Sequence, residues 1–86
     1  MDSNRLIQDG TTFAAQAVNY DKENNHQQAH SYYMKAAEAI LKAIASDRSL
    51  DALKVKALQY IERAETLQKL LDGIDFIQFH KTIKRT

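Results

Sequence analysis

The chain has 86 residues, a formal net charge of +1, no cysteine and no proline. This length suits one domain, and the absence of cysteine excludes disulfides and thiolate-metal sites as additions to a small core. The balanced charge argues against nucleic-acid binding driven by bulk charge, and no stretch approaches the roughly 20 apolar residues of a membrane span.

The N-terminal sequence Met-Asp-Ser-Asn-Arg leads into polar residues and not into an apolar secretory stretch. We therefore expect a cytoplasmic protein or a cytoplasmic fragment.

Good helix formers dominate the chain, and apolar residues recur every three or four positions. The first helix is predicted over about residues 3–23. Asp2 or Ser3 can cap it, because their side-chain oxygens accept from free N–H groups of the first turn. Gly10 falls on the apolar face and predicts close approach of a neighbouring helix. The other members of that face are Leu6, Phe13, Ala17 and Val18.

The second helix is predicted over about residues 26–46, with Asn25 as its cap. Its core stripe is rich in alanine, and such small side chains let helix axes approach closely. The stripe consists of Ala29, Tyr33, Ala36, Ala37, Ile40, Ala43 and Ile44.

The third helix is predicted over about residues 50–72, after a cap at Asp47 or Ser49. Its stripe consists of Leu50, Leu53, Ala57, Ile61, Ala64 and Leu71. Short breaks make successive helices antiparallel neighbours, which predicts an all-α, up-down-up three-helix bundle over residues 1–72. Helical spacing continues across Gly73, so residues 73–86 are expected to be a helical extension or a linker tail.

Several apolar residues lie off the core face of helices two and three and would border one groove between them. The predicted groove residues are Met34, Leu41, Ile44, Leu58 and Ile61, with an acidic rim of Glu62, Glu65 and Asp72. Such a groove suits an amphipathic peptide helix that carries leucines and a basic residue. The alternative is that these are scattered surface apolar residues, which are common.

The opposite flank of helix three carries Tyr60, Arg63, Leu67 and Leu70. A second, weaker peptide site is one interpretation of this flank. Plain packing against helix one is the alternative for Tyr60 and Leu67.

The sequence offers no convincing catalytic or metal site. His26 and His30 are four residues apart, as in some metal sites, but neither an HExxH pattern nor a cysteine accompanies them. No serine sits in a nucleophile elbow, and two glycines cannot form a glycine-rich phosphate loop. We expect a non-catalytic module without metal or cofactor.

Two segments resemble the MIT (microtubule-interacting and trafficking) domain family. The first runs from residue 21 to residue 40, where Asp21, Ala29, Tyr33 and Ala36 match the family's junction between helices one and two. The second runs from residue 56 to residue 67 and resembles the family's helix-three signature. The resemblance covers about residues 5–72 and is greatest to the first MIT module of PalB-type calpains. One departure is His26, where many members have an aromatic residue.

The resemblance implies a function. MIT domains bind C-terminal motifs of ESCRT-III subunits and attach ATPases, proteases, deubiquitinases or adaptors to them. One motif class is a helix between helices two and three, which would make Ile61 the central contact and Glu62 and Glu65 its acidic partners. A second class is an extended, proline-containing strand between helices one and three, with Ala14, Ala17 and Tyr60 as its candidate contacts.

These implications predict a monomeric adaptor that partners recruit to endosomal or other membranes. One alternative is a structural helical hairpin of the tetratricopeptide type, since helix two also fits that pattern. Such solenoids need about three or more repeats of ~34 residues, and no such self-similarity is present. Another alternative is the regulatory domain of a protease or ATPase, with this chain as a piece of it.

Overall fold

The computed structural model describes the backbone of residues 2–84 and the side chains of residues 2–73. Within this part of the chain the elements are α1 (Ser3–Lys22), α2 (His26–Ser46), a 3-10 segment (Arg48–Leu53) and α3 (Lys54–Lys84). There is no strand among the described residues. The predicted all-α three-helix bundle is confirmed.

Capping side chains determine where the first two helices begin. Asp2 caps α1 by accepting from the amide of Asn4 at 3.0 Å, and Asn25 caps α2 by accepting from the amide of Gln28 at 3.4 Å. Asn24 connects the two helices with a φ of 61°, a left-handed conformation that asparagine tolerates better than most residues. The reversal of the chain after α1 therefore needs only three residues.

The third helix differs from its prediction at both ends. A 3-10 segment precedes it, because Asp47 accepts from both the amide (3.0 Å) and the hydroxyl (2.6 Å) of Ser49 and tightens the turn. The α-helical part begins at Lys54 and continues through Gly73 to Lys84. The side chains from residue 74 onward lie outside the described residues.

α2 lies between α1 and α3 and packs against both. The closest approach is at Gly10, where an added Cβ would lie 3.1 Å from Cγ1 of Ile40 and 3.3 Å from the carbonyl oxygen of Ala36. The predicted role of Gly10 is confirmed, since any side chain there would crowd α2.

The core consists of two clusters of buried side chains. One lies at the end of the bundle near the α1–α2 connection and consists of Ala17, Ala29, Tyr33, Ala64 and Leu67. The other lies nearer the 3-10 segment and consists of Ala37, Ile40, Ile44 and Ala57. The half-buried Tyr60 packs against both clusters and joins them. The many alanines keep the helices close, which leaves most larger apolar residues at the edges of the seams.

None of the helices in the described part of the chain has the length and apolar character needed to cross a bilayer.

Candidate peptide-binding grooves

An apolar cavity of about 330 Å³ opens between α2 and α3, and we call it the α2/α3 groove. Its walls are formed by Met34, Ala37, Glu38, Leu41, Lys42, Ala45 and Ile61. Met34 is 41% exposed and Leu41 is 38% exposed, and both side chains line this one cavity. The groove therefore offers apolar surface to a partner.

Sequence reasoning placed five apolar residues at this groove, and the structure brings three of them together. Met34, Leu41 and Ile61 line the cavity. Ile44 is only 7% exposed and packs in the second core cluster, so it lies beneath the groove. Leu58 is 52% exposed on α3 but does not line the cavity.

The predicted acidic rim lies on α3. Glu62, Glu65 and Asp72 are all exposed, and none makes an ion pair with another described side chain. Asp72 accepts from Nε2 of Gln68 at 2.9 Å. Glu62 directly follows Ile61 on α3, and none of these three carboxylates lines the cavity.

Sequence reasoning missed the charged edge of the groove on α2. Glu38 and Lys42 both line the cavity and form an ion pair of 2.9 Å with each other. Their positions carried a usable signal, since Glu38 lies four residues after Met34 and Lys42 directly follows Leu41. The groove thus has charges on both edges, with its acids on α3 unpaired among the described residues.

Most residues predicted for the second groove are buried or bound to another side chain. Ala17 and Leu67 are completely buried and Ala14 is 7% exposed, so these side chains have little or no surface to offer a ligand. Arg63 is exposed but engaged, because it binds Asp21 across the seam between α1 and α3. For Leu67, the structure fits the alternative interpretation, which was plain packing against helix one.

An open cavity of about 480 Å³ does lie on this side of the bundle, towards the other end of the α1/α3 seam. It is lined by Ile7, Thr11, Ile40, Ala52, Leu53, Val55, Lys56, Gln59 and Tyr60. Of the five predicted residues, only Tyr60 lines it. Sequence reasoning missed this cavity because the 3-10 segment, which supplies Ala52 and Leu53, was predicted as ordinary α-helix.

Asp21 connects all three helices. Its Oδ2 accepts from the Tyr33 hydroxyl at 3.0 Å and from Nε of Arg63 at 2.8 Å, and its Oδ1 accepts from Nη2 of Arg63 at 2.8 Å. The hydrogen bonds from Arg63 lower the pKa of Asp21 below its usual value, against an opposing effect of burial. Burial, together with the bond to Asp21, raises the pKa of the Tyr33 hydroxyl.

A third and smaller cavity of about 270 Å³ lies between α1 and α2. It is lined by Leu6, Asp9, Phe13, Lys35, Glu38, Ala39 and Lys42. Beside it, the ammonium of Lys35 lies 4.9 Å from the ring centroid of Tyr32 and 5.8 Å from that of Phe13. Aromatic rings and the lysine occupy much of this seam, so it offers less open apolar surface than the other two.

The described side chains contain no group of three His, Asp or Glu residues placed to hold a metal ion. His26 and His30 are both half-buried at the start of α2, and Nδ1 of His26 has no hydrogen-bond partner among the described residues.

A small helical bundle with open apolar seams between its helices belongs to the class of helical protein-interaction modules. The family comparison makes this specific. The MIT (microtubule interacting and transport) domain matches residues 7–69, and the chain belongs to this family. The match agrees with the extent of the resemblance expected from the sequence, about residues 5–72.

Similar proteins include calpain-7 of Mus musculus and of Homo sapiens, each 36% identical over 73 residues. These alignments cover 85% of this chain and 9% of each calpain. Vacuolar protein sorting-associated protein 4 of Dictyostelium discoideum is 34% identical over 70 residues, covering 78% of this chain and 16% of that protein. The chain thus spans only a small part of these relatives. No solved structure matches the chain significantly. Family membership thus supports an interaction role for this module.

Proposed function

We propose that the chain is a peptide-binding adaptor that recruits its parent protein to the C-terminal tails of ESCRT-III-type proteins. The observation that supports this most is the α2/α3 groove, where Met34, Leu41 and Ile61 line an open apolar cavity of about 330 Å³. A surface of this kind on a family of interaction modules is best explained by a partner that covers it.

The ligand that fits this groove is an amphipathic helix. Its leucines would enter between Met34 and Ile61, and each fully buried leucine would contribute roughly 1.5–3 kcal/mol. A basic residue on its flank would meet Glu62 or Glu65, which carry charges without ion-pair partners among the described side chains. Because a disordered tail must be ordered on binding, we expect a modest affinity in the micromolar range.

The cellular setting follows from the proposed partner. A monomeric module would reach endosomal or other membranes through the tails that it binds, with no direct membrane contact. The parent protein would supply any catalysis, so the module can equally serve as the regulatory or recruiting arm of a protease or ATPase.

The test is Ile61→Asp, titrated with a synthetic ESCRT-III C-terminal tail helix and followed by NMR chemical shifts. We expect binding to be lost, since a carboxylate would be placed at the apolar centre of the groove beside unpaired acids. The matched control is Leu70→Asp, because Leu70 is a 45% exposed apolar residue on the same helix that lines none of the three cavities. Unchanged affinity of Ile61→Asp, with the fold intact, would remove the α2/α3 groove as the binding site.

A further inference from the structure

The thioether of Met34 is an oxidisable group on the wall of the α2/α3 groove. The chain has two methionines and no cysteine, so Met1 and Met34 carry its only sulfur atoms. Met34 is 41% exposed and lines the cavity. It belongs to neither core cluster. A chemical change in this side chain therefore alters the groove and leaves the core as it is.

Hydrogen peroxide reacts directly with an accessible thioether. It transfers one oxygen atom to the sulfur, so that the O–O bond breaks, a sulfur–oxygen bond forms, and the rest of the peroxide leaves as water. The sulfur is oxidised to a sulfoxide and the peroxide is reduced. Because hydrogen peroxide is scarcely larger than water and Met34 is well exposed, the oxidant can reach this side chain in the folded protein.

The surroundings of Met34 suit a thioether and not a sulfoxide. Among the side chains that line the groove, only the Lys42 ammonium is a hydrogen-bond donor. It is bound to Glu38 at 2.9 Å, and Lys42 lies eight residues after Met34, roughly 12 Å further along α2 at about 1.5 Å per residue. A sulfoxide oxygen on Met34 therefore has water as its partner in the free protein. An apolar ligand side chain that covers it removes this water, which is costly for a buried acceptor.

We propose that Met34 is a redox-sensitive modification site, at which oxidation by a peroxide closes the α2/α3 groove to apolar helical ligands without unfolding the bundle. The thioether offers a flexible apolar contact, whereas the sulfoxide places a strong acceptor in the same position. This inference rests on the proposed peptide-binding role of the groove and adds a condition under which that role is lost.

The first measurement needs no peptide. Wild-type protein is treated with hydrogen peroxide, and mass spectrometry of proteolytic fragments follows the oxidation of Met34. We expect a rate constant within about tenfold of that of N-acetylmethionine amide, because the side chain is accessible. Circular dichroism and the midpoint of urea unfolding should not change. Slower oxidation than this, or unfolding of the oxidised protein, would overturn the proposal.

The second measurement compares the oxidised and the unoxidised protein. After the peroxide is removed, both are titrated with a synthetic ESCRT-III C-terminal tail helix that contains neither methionine nor cysteine. We expect the oxidised protein to bind at least about tenfold more weakly, because the sulfoxide oxygen would be buried without a donor. If the two dissociation constants agree within about twofold, the sulfoxide does not close the groove.

Met34→Leu is the matched control. It removes the sulfur and keeps an apolar side chain of similar size, while Met1 remains oxidisable. Whatever the affinity of this variant, peroxide should change it by less than about twofold. Met34→Gln puts a polar side chain of similar length at the same position and should bind at least about fivefold more weakly than Met34→Leu. If peroxide weakens Met34→Leu as much as it weakens wild-type protein, another residue is responsible and the inference fails.

Binding of the tail helix should in turn protect Met34. At a saturating concentration of the tail, we expect Met34 to oxidise at least about fivefold more slowly, while added N-acetylmethionine amide oxidises at its usual rate. Unchanged oxidation of Met34 in protein that has bound the tail would count against the site. If the tail does not bind the unoxidised protein at the groove, the adaptor role and this inference both fall. If it binds equally with and without the sulfoxide, only this inference falls.

Discussion

The carboxylate of Asp21 connects the three helices at the end of the bundle near the α1–α2 connection. It accepts from Tyr33 on α2 and twice from Arg63 on α3. The sequence identified Asp21 and Tyr33 as family positions and placed Arg63 in the helix-three signature and in the possible second groove, but it did not show that the three residues meet. Their partnership depends on residues up to 42 positions apart, which no local pattern encodes.

The lowered pKa of Asp21 predicts acid sensitivity. Because its pKa in the folded state lies below the unfolded value of about 3.9, its contribution to stability is complete above that value and is lost as pH falls through the folded pKa. Urea unfolding between pH 7 and pH 2 measures this loss. Asp21→Asn should be less stable at pH 7 by about 1–2 kcal/mol, a modest figure since Arg63 is partly exposed to solvent. Asp21→Asn should also lack the part of the fall in unfolding free energy that comes from protonation of Asp21. If the unfolding free energies of the two proteins fall in parallel with pH, Asp21 is not the source of the acid sensitivity.

Leu67 was predicted for the second peptide site, but its side chain lies in the core. Since it is completely buried in the first core cluster, Leu67→Ala should cost about 2–5 kcal/mol. A loss of that size approaches the whole net stability expected for a small domain, roughly 3–5 kcal/mol. Thermal unfolding, with the exposed Lys69→Ala as control, measures it. If Leu67→Ala loses under 1 kcal/mol of unfolding free energy and binds peptide more weakly, Leu67 is a surface residue that contacts the ligand.

At the scale of elements, the two glycines have opposite roles. Gly10 lies where α1 touches α2, whereas a Cβ at Gly73 would meet none of the described atoms within 4 Å. We expect Gly10→Val to destabilise the bundle by about 1–3 kcal/mol through overpacking against Ile40. Gly73→Ala should raise helix content, because alanine is favoured in a helix by roughly 1 kcal/mol. Circular dichroism and urea unfolding test both, and full stability of Gly10→Val would mean that α1 and α2 lie further apart than described.

The helices themselves could be predicted from the sequence, because apolar periodicity and capping residues are local signals. Asp2, Asn25 and Asp47 all act as caps where the sequence allowed them to. The start of α3 could not be fixed in this way. Leu50 and Leu53 are three residues apart, a spacing that suits a 3-10 segment and an α-helix equally.

The candidate sites, like the helices, could be predicted from local sequence signals only in part. Met34 was predictable together with Leu41, because helical spacing places both off the core stripe of α2. Ile61 belongs to the predicted stripe of helix three and also lines the cavity. The α1/α3 cavity was not predictable, since its position depends on which end of the seam the helices leave open.

At the scale of the whole molecule, the bundle completes its own core. Two clusters joined by Tyr60 bury apolar residues from all three helices, and a tetratricopeptide-type hairpin would need neighbouring repeats to do so. The match to the MIT family over residues 7–69 supports the same conclusion. The α2/α3 groove and the α1/α3 cavity share no lining residue, so their ligands can be tested independently.

The proposed binding of an ESCRT-III-type tail helix between α2 and α3 can be mapped by amide chemical-shift changes in the wild-type protein on titration with such a tail. We expect the largest changes at Met34, Leu41 and Ile61. Changes concentrated at Ile7, Thr11 and Val55, or no saturable change at all, would contradict it.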